Sequence, residues 1–147
     1  MKTIRLLLKQ KNKETWSLNP TTKVFEALQI MAQKDIGAMP VMEGSKLVGI
    51  FSERDYARKV ILKGKASKNI PVREVMTTEL VVISPDQTVD QALECMTEKH
   101  IRHLPVLQGN KLIGFISIGD LVKSIIDEQK VVIDKLEQHI IETTGLG

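Results

Sequence analysis

Two tetrapeptides in this 147-residue chain combine side chains that could do chemistry: Ser52-Glu53-Arg54-Asp55 and Ser117-Ile118-Gly119-Asp120. A serine three residues before an aspartate supports three readings. The hydroxyl could be a nucleophile, the pair could cap a helix, or the pair could grip a polar ligand. A nucleophile elbow needs G-x-S-x-G, but Phe115 stands at the first glycine position of the second stretch. Ile50 and Arg54 replace both glycines of the first. No histidine occurs in the first stretch's surroundings, so the pattern argues against a hydrolase. The cap reading fits well, because [ST]-x-x-[DE] before an apolar run is the capping-box signature. The ligand reading fits too. A helix start attracts phosphate, and a nearby aspartate can accept both hydroxyls of a ribose.

Other constellations carry less. Gly64-Lys65 resembles the end of a P-loop, but Lys59 replaces its first glycine and Ala66 its Ser/Thr. His100 and His103 have a spacing that could face one side of a helix, yet no carboxylate or thiol completes a metal set beside them. Cys95 is the only cysteine, which excludes an intrachain disulfide and suits a small apolar role.

The elements that must position the two serine–aspartate pairs come from a duplication. Shifting the chain by 65 residues superimposes Trp16–Val60 on Val81–Ile125 without a gap. Pro20 meets Pro85, Val24 meets Val89, Met31 meets Met96, and Ile36 meets Ile101. Pro40-Val41 meets Pro105-Val106, Gly49 meets Gly114, and each serine and aspartate meets its counterpart. Each copy reads as strand, helix, strand, strand, helix. The first strand ends at the proline. Apolar residues at helical spacing follow, and Thr88 with Gln91 forms a capping box. Gly44 and Gly109 mark hairpin turns.

The chain therefore divides into an N-terminal segment (1–15), repeat 1 (16–61), a linker with a short helix at VREVM (62–79), repeat 2 (80–126) and a helical tail (127–147). The fold class is α+β, with two pseudo-twofold-related β-α-β-β-α units. The tail carries Val131, Val132, Ile133, Leu136, Ile140 and Ile141. This stripe must be covered, either by its own domain or by a partner.

Composition bounds the function classes. Aromatics are 3% of residues, which leaves few platforms for stacking nucleic-acid bases. The net charge of +3 fits a solvated basic face and is too small to argue for nucleic acid. No apolar run reaches the length of a membrane span, and the first residues are too short and charged for a secretory signal. A reducing, cytoplasmic compartment is expected.

The paired motifs, h-P-V followed by G-h-h-[ST]-x-x-D, resemble a tandem cystathionine-β-synthase (CBS) domain pair, or Bateman module. GIFSERDYARKV, IRHLPV and SIGDLVK are similar to the small stand-alone prokaryotic CBS-pair proteins. That resemblance covers nearly the whole chain. It implies two clefts between the copies, each taking an adenosine-type ligand: AMP, ADP, ATP, NAD(H) or S-adenosylmethionine. One cleft would hold Ser52, Arg54 and Asp55 with Ser84, Val89, Ile101, Arg102 and His103. The other would hold Ser117 and Asp120 with Asn19, Val24, Ile36, Gly37 and Ala38. Aspartate would hold the ribose, serine the phosphate, and Ile36 or Ile101 the base.

Arg102-His103 replaces Gly37-Ala38 of the first copy, so the Ser52/Asp55 cleft is expected to prefer the more anionic ligand. The resemblance implies a non-enzymatic, energy-sensing regulatory module without catalytic cofactor or metal. It would be homodimeric and would signal to an effector protein in trans. A ligand-free dimeric scaffold and a nucleotide-processing enzyme are the rival classes.

Overall fold

The computed structural model describes residues 2–11, 14–66 and 68–144. Each repeat places one helix and one hairpin in the same order. Repeat 1 has α2 (Val24–Lys34), β1 (Ala38–Glu43), β2 (Lys46–Ser52) and α3 (Glu53–Tyr56), which runs on as one π-turn over Ala57–Ile61. Repeat 2 has α4 (Val89–Lys99), β3 (His103–Gln108), β4 (Lys111–Ser117) and α5 (Ile118–Thr144). A helix, α1 (Ile4–Lys11), precedes repeat 1, and a 3-10 turn (Val72–Glu74) lies between the repeats.

Local sequence accounts for these elements. Helix α4 starts on the expected Thr88–Gln91 capping box, which satisfies two otherwise unpaired N–H groups. Both long repeat helices stop at a residue in the left-handed region, Asp35 and His100. The hairpins turn at Gly44 (φ +61°) and Gly109 (φ +63°), where glycine avoids the Cβ clash. In each antiparallel pair the register shifts at the same place, Val41/Met42 and Val106/Leu107. The α+β class and the twofold repetition thus stand as expected.

The expected first strand of each repeat is not a strand. It contracts to one parallel bridge, Leu18 with Val41 and Ile83 with Val106. Two residues further on, Pro20 and Pro85 lack the N–H that would extend the ladder. Helix α5 runs unbroken for 27 residues from Ile118 to Thr144, so repeat 2 and the tail share one helix.

The segments before the repeats cross over. Ile4 and Leu7 of α1 are buried in the core of repeat 2, with Val89, Met96, Leu104 and Ile116. Val72 and Val75 are buried in the core of repeat 1, with Val24, Met31, Val41 and Phe51. Matching backbone bonds secure both. Val89 N donates to Lys2 O, and Val24 N donates to Ile70 O. The N-terminal segment and the linker are therefore corresponding parts of the duplicated unit, each packed on the more distant repeat. Their own sequences hide this, because IRLLL and VREVM share pattern but few residues.

Candidate functional site

The two S-x-x-D motifs close capping boxes. Ser52 Oγ accepts from Asp55 N at 3.1 Å, and Asp55 Oδ2 accepts from Ser52 N at 3.0 Å. Ser117 and Asp120 repeat this at 3.2 and 2.9 Å. The first N–H of each helix bonds across to the other side of its strand pair: Glu53 N to Gly37 O, and Ile118 N to Arg102 O. The cap reading of both motifs holds.

Capping does not remove the first motif from the surface of a cleft. A cavity of about 870 Å³ lies between the repeats, lined by Ser52, Arg54 and Asp55 from one and Ile101, Arg102 and His103 from the other. Gly37, expected at the second cleft, lines this one, and His103 Cε1 would lie 3.7 Å from a β-carbon placed on it. Ile50, Thr77, Glu79, Val81, Met96, Thr97 and Ile118 complete much of the apolar and polar wall. Its volume suits a nucleotide-sized molecule.

Six expected residues are not in this lining: Ser84 and Val89, assigned to this cleft, and Asn19, Val24, Ile36 and Ala38, assigned to the other. Val24 and Val89 are buried in the two cores. Asn19 turns its Oδ1 to Thr21 N and Oγ1, and Ser84 Oγ accepts from Asp86 N. These are local turns of the kind that short polar side chains favour. Ala38 is buried, and Ile36 packs against the core of repeat 1.

Asp55 is only 6% exposed and fully engaged. Oδ2 accepts from both Ser52 N and Ser52 Oγ, while Oδ1 accepts from Thr77 Oγ1 at 2.9 Å and faces Lys59 Nζ at 3.0 Å. Four contacts are about all that a carboxylate can accept. Arg54 is also occupied, since its Nη1 donates to His100 O at 3.0 Å and ties α3 to the end of α4. The charge balance of the cleft departs from the expected positive one. Glu53, Asp55 and Glu79 stand against Arg54 and Arg102.

Asp120 meets a different cation. Lys11 Nζ lies 2.9 Å from Asp120 Oδ2 and donates to Phe115 O at the same distance. Burial acts to raise the Asp120 carboxyl's pKa. The Lys11 hydrogen bond, the Ser117 contacts and the Lys11 charge outweigh it and hold the pKa below the usual carboxylate value. His103 stacks on Phe115, with ring centroids 5.7 Å apart. Burial lowers its imidazole pKa, and Lys11 and Arg102 add to that effect, against an opposing pull from Asp120.

Sequence reading missed Lys11, Thr77, Glu79 and Lys59. Only Lys59 carried a local signal, as a lysine one helical turn after Asp55. Among the described residues, no cluster of three or more His, Cys, Asp or Glu could hold a metal. None of the described helices is long and apolar enough to cross a membrane.

The CBS domain model matches residues 12–62 and 72–127. This chain belongs to the CBS domain family. It carries two copies, a CBS pair. Among its relatives is the CBS domain-containing protein CBSX3, mitochondrial, of Arabidopsis thaliana, 36% identical over 94% of this chain and 71% of the plant protein. The crystal structure of the CBS domain of NE2398 is similar at a TM-score of 0.82 with 44% identity, covering 86% of this chain and 99% of that one. The CBS domain pair of MJ0100, solved with 5′-methylthioadenosine and S-adenosyl-L-methionine, shares the fold at a TM-score of 0.76. It is 21% identical over 87% of this chain and 98% of that one.

Proposed function

We propose that this CBS pair is a non-catalytic sensor that binds an adenosine-containing ligand between its repeats and signals to a partner protein in trans. The cleft that unites Ser52 and Asp55 of one repeat with Ile101, Arg102 and His103 of the other carries this reading. The ligand would be AMP, ADP, ATP, NAD(H) or S-adenosylmethionine. Ile101 offers an apolar wall for a base, and ribose hydroxyls would displace Thr77 Oγ1 from Asp55 Oδ1. Ligands of that chemical class in the MJ0100 pair support the assignment. Because both repeats wall the cleft, a ligand that favours one relative packing shifts that equilibrium, and a partner can read the shift.

The chain acts as a homodimer in this reading. Helix α5 leaves Ile126, Val132, Ile133 and Leu136 about half exposed, and a second copy would cover them. The expected compartment is the cytoplasm, although the plant relative's name places that protein in mitochondria.

Titration calorimetry with each of these ligands tests the sensor reading. Micromolar binding that weakens strongly in Asp55→Asn supports it. Absence of binding by every ligand removes it.

One observation favours a second reading, a ligand-free dimeric scaffold: the protein itself already satisfies Asp55. In that case melting would depend on protein concentration and ignore every nucleotide.

A further inference from the structure

Helix α5 leaves the protein's own core after Ile125. Leu121 and Ser124 are buried and Ile125 packs against the core of repeat 2, whereas every residue from Ile126 to Thr143 is exposed. The domain itself does not cover Ile126, Ile133 and Leu136, which are 48%, 50% and 57% exposed. Their spacing is that of a heptad. Ile126, Ile133 and Ile140 recur every seven residues, and Val122, Gln129 and Leu136 keep the same interval beside them. This is the a/d seam of a two-stranded coiled coil, with one polar residue in it.

The charges beside the seam select its occupant. From Ile126 to Thr143 there are five acidic residues against two lysines, which disfavours an anionic bilayer or a nucleic acid. One flank, position e, carries Lys123, Lys130 and Glu137, and the other, position g, carries Ile125, Val132 and His139. Neither Lys130 nor Glu137 makes an ion pair among the described residues. In a parallel pair each e residue faces a g residue of the other chain, so Lys130 would meet Ile125 and Glu137 would meet Val132. In an antiparallel pair the e flanks face each other, and Lys130 meets Glu137 of the second copy twice over. The charge order is complementary to itself when reversed, as a twofold contact between identical surfaces requires.

We propose that the free segment of α5 binds the same segment of a second copy in antiparallel register, with Lys130 of each chain beside Glu137 of the other. This deepens the homodimer reading and rests on it. The register sets Ile133 against Leu136 of the second copy. Its centre falls between Asp134 and Lys135, the middle of the exposed stretch from Ile126 to Thr143, so the two free lengths match end to end. The apolar seam supplies the affinity. Exposed ion pairs add little to that, and their part is to choose the orientation. The two modules stand at opposite ends of the pair, their Ile125 residues about 30 Å apart along the axis from the helical rise per residue.

Sedimentation equilibrium and pulsed electron–electron resonance on the full chain test this. Lys130→Glu and Glu137→Lys should each weaken the dimer by about tenfold, because two attractive pairs become repulsive. The double variant should recover most of the loss, and Ile133→Asp should abolish the dimer. A nitroxide on Lys123→Cys, with the free Cys95 replaced by Cys95→Ser, should report a separation of about 35 Å, against about 10–15 Å for a parallel pair. Residues 123, 130, 133 and 137 are exposed, and a melting curve of each variant checks that the repeats stay folded. A short distance, or a double variant no tighter than either single one, overturns the antiparallel register and leaves the homodimer reading standing. So does a dimer that Ile133→Asp leaves intact, since the repeats then hold it. A monomer at every concentration removes both and leaves the stripe to a different protein.

Discussion

Met76 lies directly over Gly49. A β-carbon on residue 49 would sit 2.5 Å from Met76 Sδ and 3.1 Å from the carbonyl oxygen of Thr77. The same relationship recurs in repeat 2, where Leu8 Cδ2 would be 2.5 Å from a β-carbon on Gly114. Each crossed segment therefore presses on the middle of a hairpin strand at a glycine.

Gly49→Ala should destabilise the protein by about 1–3 kcal/mol, since the fixed Thr77 carbonyl limits relaxation. Gly114→Ala should cost less, because only Leu8 side-chain atoms must move. Urea unfolding of Gly114→Ala, Leu8→Ala and the double variant gives the coupling. The double variant should be less destabilised than the sum of the singles.

Ser124 is buried, and its hydroxyl oxygen has no hydrogen-bond partner among the described residues. Ser124→Ala removes an unsatisfied polar group at little cost in packing. Stability should rise by up to about 1 kcal/mol, visible as a higher urea midpoint with an unchanged slope. A lower midpoint would show that the hydroxyl has a function in the native fold.

His103 makes stability depend on pH. Burial holds its folded pKa below the ordinary value, so under mild acid the unfolded chain takes up a proton that the folded chain refuses. Its contribution is fully present at neutral pH and fades as pH falls through roughly 6.5, the ordinary imidazole midpoint. Asp120 is shifted down, so its contribution persists to lower pH and fades only as pH falls through the carboxylate range. Chemical denaturation of wild type and His103→Phe at pH 7.5 and 5.5 separates the two effects. The variant keeps a ring on Phe115 and should lose less stability on acidification.

Thr77→Val and Asp55→Ala distinguish the roles of the buried carboxylate. Thr77→Val removes one bond to Oδ1 and should cost about 1 kcal/mol while leaving ligand affinity equal or improved. Asp55→Ala removes the capping box and the carboxylate partner of Lys59, which keeps its bond to Val75 O, and should cost about 1–2 kcal/mol. Calorimetry of Thr77→Val that shows weaker binding would mean that Thr77 itself contacts the ligand.

Deleting residues 128–147 should leave both repeats folded, because the buried part of α5 is Leu121, Ser124 and partly buried Ile125. Circular dichroism should show a cooperative transition, and sedimentation should show a smaller assembly than the full chain forms. An unchanged assembly would place the proposed dimer contact on the repeats instead of the tail.

What the sequence by itself determined lies within a few residues of chain. The capping boxes at Ser52, Thr88 and Ser117, the turns at Gly44 and Gly109, and the 65-residue repetition are relations between near neighbours or between copies. Backbone geometry holds such partners at fixed offsets, so spacing reveals them. The tertiary structure alone decided that α1 packs on repeat 2, that Lys11 reaches Asp120, that Thr77 reaches Asp55, and that Glu79 joins the cleft. It also turned Asn19 and Ser84 into local turns and left Val24 and Val89 in the cores. The physical reason is distance along the chain. Burial of apolar residues such as Ile4 and Val72 chooses which segments meet, and the charges they carry arrive as a consequence.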